Sequence, residues 1–150
     1  MKVVVQRSKY SSVSVDNKLV NEINSGFVLL VSFTQSDDYS IIDKMVNKIA
    51  NLRIFDDENG VMNKSIIDTK GSILSISQFT LYADTKKGNR PSYINALNGD
   101  DAIKLYEYFN NEMNKIVPTY PGVFGADMEV KITNDGPVTI ILEFTNENSN

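Results

Sequence analysis

The chain of 150 residues is 41% hydrophobic and 23% charged, with a net charge of −4; this fits one globular domain able to bury roughly 70% of its surface. It contains no His and no Cys, so Ser-His-Asp and Cys-His machinery cannot be built. A zinc site would have to rest on carboxylates alone, a set zinc rarely takes. Catalysis must then use hydroxyls, carboxylates, amines, main-chain groups or the substrate itself, and neither a metal nor a cofactor is expected.

In chain order, Val3 to Val5 reads as a first strand, too short for a signal-peptide core. Val13 to Val15 and Leu19-Val20 flank an Asp16-Asn17-Lys18 turn and read as a hairpin. Phe27 to Phe33 is a continuous apolar strand opened by Asn24-Ser25-Gly26. Asp37 and Asp38 then offer an N-cap to a helix in which Ile41, Ile42, Met45, Val46, Ile49 and Leu52 recur at helical spacing.

The acidic run Asp56 to Gly60 resembles a calcium loop only in composition. Setting Gly60 at the sixth position puts Phe55 where the first acidic ligand belongs, so a polar turn is expected. Ile73 to Ala83 reads as a third clear strand, and Asp100 to Ile116 as a second amphipathic helix with Ile103, Leu105, Tyr106, Phe109, Met113 and Ile116 on its apolar face. Met128, Val130 and Ile132 alternate as in a half-buried strand, and Asn134 to Pro137 reads as a loop before a last strand, Val138 to Phe144.

These elements predict an α/β fold: a layered single domain of mixed, largely antiparallel β-sheets with two helices packed on one side. The domain is expected over 1–144, with 145–150 a polar tail. No apolar run approaches the ~20 residues of a membrane span, so no membrane partner is expected and the cytoplasm is the expected compartment.

Two stretches do not fit simple strands. Ser77-Gln78-Phe79-Thr80-Leu81 sets polar residues inside the apolar run from Ile73 to Tyr82, where a strand entering the core has no need of a Gln. Asn134-Asp135-Gly136-Pro137-Val138-Thr139 puts Gly-Pro at the entrance to an apolar strand, where pairing wants a backbone donor. Lys86, Lys87 and Arg90 also crowd one loop, which taken alone reads as a solvated turn.

Together with Val3 to Arg7, Leu52 to Phe55, Lys87 to Pro91 and Phe124 to Met128, these blocks resemble the D-aminoacyl-tRNA deacylase family, long called D-tyrosyl-tRNA deacylases, over nearly the whole chain through Phe144. The first hairpin at Tyr10-Ser11-Ser12 and the turn at Tyr120-Pro121-Gly122 depart from the family's commoner loops, outside both site motifs.

The resemblance implies hydrolysis of the ester joining a D-amino acid to the terminal ribose of tRNA, with glycyl-tRNA also cleaved. It implies a homodimer in which a cis Gly136-Pro137 pair reaches the partner's pocket and rejects L-amino acids. Ser77, Gln78, Phe79 and Thr80 are then the expected catalytic stretch. Gly136, Pro137, Phe124, Lys86, Lys87 and Arg90 are expected to bind substrate, the three cations through tRNA phosphates. The main-chain N–H groups of Phe79 and Thr80 suit an oxyanion hole. A Thr80 nucleophile would need a base that the His-free chain lacks, so water is the expected attacking group. Two other readings stay open: a Thr-dependent hydrolase of small esters, and a noncatalytic RNA-binding module.

Overall fold

The computed structural model describes residues 1–146, so 147–150 of the expected tail lie outside the described residues. The chain opens with β1 (Lys2–Ser8), the hairpin β2 (Ser11–Val15) and β3 (Lys18–Ile23), then β4 (Gly26–Ser32) and helix α1 (Tyr39–Asn51). A small hairpin of β5 (Phe55–Asp56) and β6 (Met62–Lys64) precedes a single helical turn, α2 (Ile66–Thr69), and β7 (Ser72–Ser77). Helix α3 (Gly99–Asn114), β8 (Thr119–Pro121), β9 (Glu129–Lys131) and β10 (Asn134–Glu143) complete it.

Three layers result. The central sheet has the order β10-β1-β4-β7-β8; β1 pairs antiparallel with both neighbours, while β4–β7 and β7–β8 are parallel. Side-chain alternation decides which face each residue serves. Val3 and Val5 of β1, Phe27, Leu29 and Val31 of β4, and Ile73 of β7 form one core with the inward faces of α1 and α3. Val28, Leu74 and Ile76 point the other way, onto Val13 and Ile23 of the β3-β2-β9 sheet. This is the mixed, largely antiparallel architecture with the two long helices on one face; α2 adds a third, one-turn helix that the apolar periodicity is too short to reveal.

Local chemistry explains the element ends. Asp38 caps α1 by accepting the Ile41 N–H at 3.0 Å. The hairpin between β2 and β3 turns on Asp16 and Asn17, both at positive φ, as a two-residue turn of right-handed strand twist requires. Asp57 accepts the N–H groups of Asn59 and Val61, so its carboxylate is spent on the polar turn. Gly26 is obligatory at the start of β4: with φ +144°, a Cβ there would stand 1.8 Å from the Ser72 carbonyl oxygen.

Three expectations need correction. The strand expected to run to Ala83 stops at Ser77, and Phe79–Tyr82 forms a 3-10 turn. The Gln78 N–H makes the last bond to β4, at the Val31 carbonyl, and β4 ends one residue later, leaving the chain beyond with no strand to pair. Gln78 is half-buried just past the strand rather than inside the core. Asn134 to Pro137, read as a loop, already belongs to β10 as a bulge. Likewise α3 runs from Gly99 to Asn114, and Ile116 lies beyond it, exposed.

Candidate active site

At the C-terminal ends of the parallel strands β4 and β7 the chain leaves an open cavity of about 600 Å³, the usual place for a ligand in sheets of this kind. Its floor is Val31, Ser32 and Phe33 from the end of β4, with Ser77, Gln78 and Phe79 from the end of β7. Tyr93, Ala96 and Leu97 make one wall, and Phe124 and Met128 another. Four expected site residues, Ser77, Gln78, Phe79 and Phe124, are thus brought together.

The turn at Phe79 matters for its donors. The Gln78 N–H is taken by Val31, but Gln78 supplies no side-chain cap. The N–H groups of Phe79 and Thr80, first in the turn, therefore have no intrahelical acceptor. Phe79 lines the cavity, and Thr80 follows it in the turn. The Thr80 side chain is exposed beside Phe79 and is not part of the cavity lining.

Phe124 is held from behind. Its ring lies 5.8 Å from that of Tyr106, whose hydroxyl donates to the Ser75 carbonyl at 2.6 Å. The same carbonyl accepts the Gly122 N–H at 2.9 Å, so one mid-strand oxygen fixes both the helix and the loop leading to Phe124. Burial pushes the Tyr106 hydroxyl pKa up, keeping it a donor.

Gly136 and Pro137 lie elsewhere in the same chain. Their bulge sits between the pairs Ser8↔Asn134 and Gln6↔Thr139, and Gln6 and Ser8 pair in turn with Val28 and Gly26. The bulge therefore stands beside the N-terminal end of β4, at the opposite end of the sheet from the cavity. Both residues are exposed, their peptide bond is cis, and Gly136 has φ +115°.

Two residues not singled out for the site build this bulge. Asn134 closes its base: its Nδ2 donates to the Arg7 and Val138 carbonyls at 3.0 and 3.1 Å, and its Oδ1 accepts from Gln6 Nε2 at 3.2 Å. Arg7 supports its flank. Its buried guanidinium donates to the Ile54 carbonyl at 2.8 Å, and its Nε stands 3.3 Å from Asp135 Oδ2, an ion pair rather than an aligned hydrogen bond. The signal for Arg7 was its place in an apolar strand, where a charge needs partners.

Lys86 lines a second, shallower cleft with Lys2, Tyr82 and Glu143, while Lys87 and Arg90 are exposed on the same loop. That loop is closed at its base by two bonds between Asp84 and Ser92, at 2.7 and 2.9 Å.

A family model for D-Tyr-tRNA(Tyr) deacylase matches residues 4–143. The chain belongs to that family. It is a hydrolase acting on the ester of D-aminoacyl-tRNA, and the cavity at the β4 and β7 ends is the deacylase's candidate site. A solved structure described as c-Myc DNA Unwinding Element Binding Protein is 39% identical, with a TM-score of 0.92 over 97% of this chain and 100% of that one. A second, from a structural analysis of a probable eukaryotic D-amino acid tRNA deacylase, is 16% identical with a TM-score of 0.81 over 94% and 97%, a likeness of fold. Among the described residues no helix is long and apolar enough to cross a membrane.

Proposed function

We propose that the deacylase works as a homodimer in which the Gly136-Pro137 bulge of one copy completes the cavity of the other, and that this pairing selects D-amino acids. The observation that carries the reading is the distance along the sheet: a firmly built, exposed bulge stands at the far end from the cavity of its own chain. Main-chain carbonyls on such a bulge hold the substrate ammonium, and the Phe79 and Thr80 N–H groups take the ester oxygen. With both ends fixed, the α-hydrogen and side chain exchange slots between enantiomers, and an L side chain meets the backbone wall. Glycine, having no side chain, passes the same test, so glycyl-tRNA is also cleaved.

Water attacks the ester carbon, the neighbouring ribose 2′-hydroxyl assists proton transfer, and the tetrahedral oxyanion is held by the two N–H groups, a contribution of about 3 kcal/mol per donor in comparable hydrolases. Collapse breaks the ester bond and returns a proton to the ribose 3′-oxygen. Thr80 and Gln78 position the substrate, and Phe124 walls the pocket. Lys86, Lys87 and Arg90 meet tRNA phosphates. The working unit is residues 1–144 with a polar tail, acting in the cytoplasm where charged tRNA is used.

The test compares cleavage of D-tyrosyl-tRNA and L-tyrosyl-tRNA by purified protein. Rapid cleavage of the D ester alone is expected; equal cleavage of both removes the chiral reading. A second reading, nucleic-acid binding without cleavage, draws support from the 39% identity to a protein described as binding a DNA unwinding element. Retention of tRNA on the protein with neither ester cleaved would put that reading first.

A further inference from the structure

The cavity wall from Tyr93 to Leu97 belongs to no helix or strand. Such a wall needs fasteners, and here they come from two side chains shortly after β4, Thr34 and Gln35. Gln35 Nε2 donates to the Ile94 carbonyl at 2.9 Å and to the Ala96 carbonyl at 3.1 Å, which uses both amide hydrogens. Thr34 Oγ1 donates to the Asn95 carbonyl at 2.6 Å, and the Leu97 N–H returns a bond to the Phe33 carbonyl at 3.0 Å. Three successive carbonyls of the wall thus depend on two side chains. With the wall fixed, the Tyr93 ring stands edge-on to Phe79, centroids 5.0 Å apart, directly against the turn that carries the main-chain donors.

We propose that Gln35 is a positioning residue of the deacylase: its amide holds the Tyr93–Leu97 wall at a fixed distance from the Phe79 turn and so sets how tightly the aminoacyl end is held. The inference rests on the deacylase reading of the cavity. Gln35 itself is exposed and lines no part of the cavity. Because the carbonyls it holds are exposed, water replaces the lost bonds when it is removed. The fold therefore survives removal while the wall loses its place. The chemical step, which uses the β7 turn, is left alone.

Gln35→Glu keeps the shape of the side chain but has no N–H to give and turns a carboxylate toward two carbonyl oxygens. Gln35→Lys restores donors on a longer stem. The expected result for D-tyrosyl-tRNA is a KM raised about tenfold by Gln35→Glu with kcat within about twofold, and a Gln35→Lys variant within about threefold of wild type in both. In Gln35→Glu, amide hydrogen exchange should quicken at Ala96 and Leu97 and stay unchanged in the β1–β4–β7 core, and the melting temperature should move by less than about 2 °C.

Unchanged KM, or a fall in kcat with KM unchanged, overturns the proposal. So does a general loss of stability with exchange quickened throughout, which would make Gln35 merely structural. Wild-type protein that cleaves neither ester refutes the deacylase reading first, and the positioning role falls with it. Cleavage by wild type with identical kinetics in both variants refutes the Gln35 role alone.

Discussion

A Cβ at Gly136 would meet the Val138 nitrogen at 2.9 Å and Arg7 Nη2 at 3.1 Å, on a backbone whose φ of +115° L side chains rarely adopt. Gly136→Ala must therefore shift the bulge or strain it by about 1–3 kcal/mol. If that bulge is the chiral wall, the variant loses at least about tenfold in kcat/KM on D-tyrosyl-tRNA while still folding to the native secondary structure, read by single-turnover deacylation beside circular dichroism. Thr80 gives the contrasting case. Its main-chain N–H survives truncation, so Thr80→Ala should cost less than about tenfold; a loss of a thousandfold would return its hydroxyl to the chemical step.

Elements here are held at their ends by short polar contacts, and those contacts titrate. The Ser40 hydroxyl and Ile41 N–H hold Asp38 below its ordinary value of 3.8 at the start of α1. The Val61 and Asn59 N–H groups do the same for Asp57 in the β5–β6 turn, and the Ser65 main-chain and side-chain bonds for Asp68 in α2. A carboxyl lowered in the folded state adds stability that is present above the unfolded value and lost as pH falls through the folded one. At the alkaline end burial raises Tyr82 and Tyr106 above 10.0, so their contribution is whole below that value and lost as pH rises beyond it. The urea midpoint should therefore fall as pH drops below about 4 and again as it rises beyond about 10. A midpoint that climbs below pH 4 would show that these carboxylates are not charged partners in the fold.

For the whole molecule, assembly and electrostatics separate cleanly. Light scattering should give twice the 16.8 kDa chain mass, and a monomer at working concentration would leave the cavity without its proposed wall. The chain is acidic overall, so attraction to tRNA must be local. Replacing Lys86, Lys87 and Arg90 together by Ala should weaken tRNA binding and flatten the plot of log affinity against log salt by about 2 to 3. An unchanged slope would mean the loop is only solvated.

By itself the sequence determined the layered class and the two long helices, and it marked the stretches proposed to carry the site. Period-2 and period-3.6 burial is written locally, and a Gln or a Gly-Pro in an apolar run stands out against it. Tertiary structure decided the rest. The end of β7 at Ser77 follows from where β4 stops, a neighbour's property that no window around Gln78 contains. Apolar Ile140, Leu142 and Phe144 pack on the chain's own core and leave Ile141 exposed. Gln35 is invisible as a site builder until folding brings carbonyls from a distant segment to it, and Arg7 and Asn134 stand out in sequence without naming the main chain they will hold.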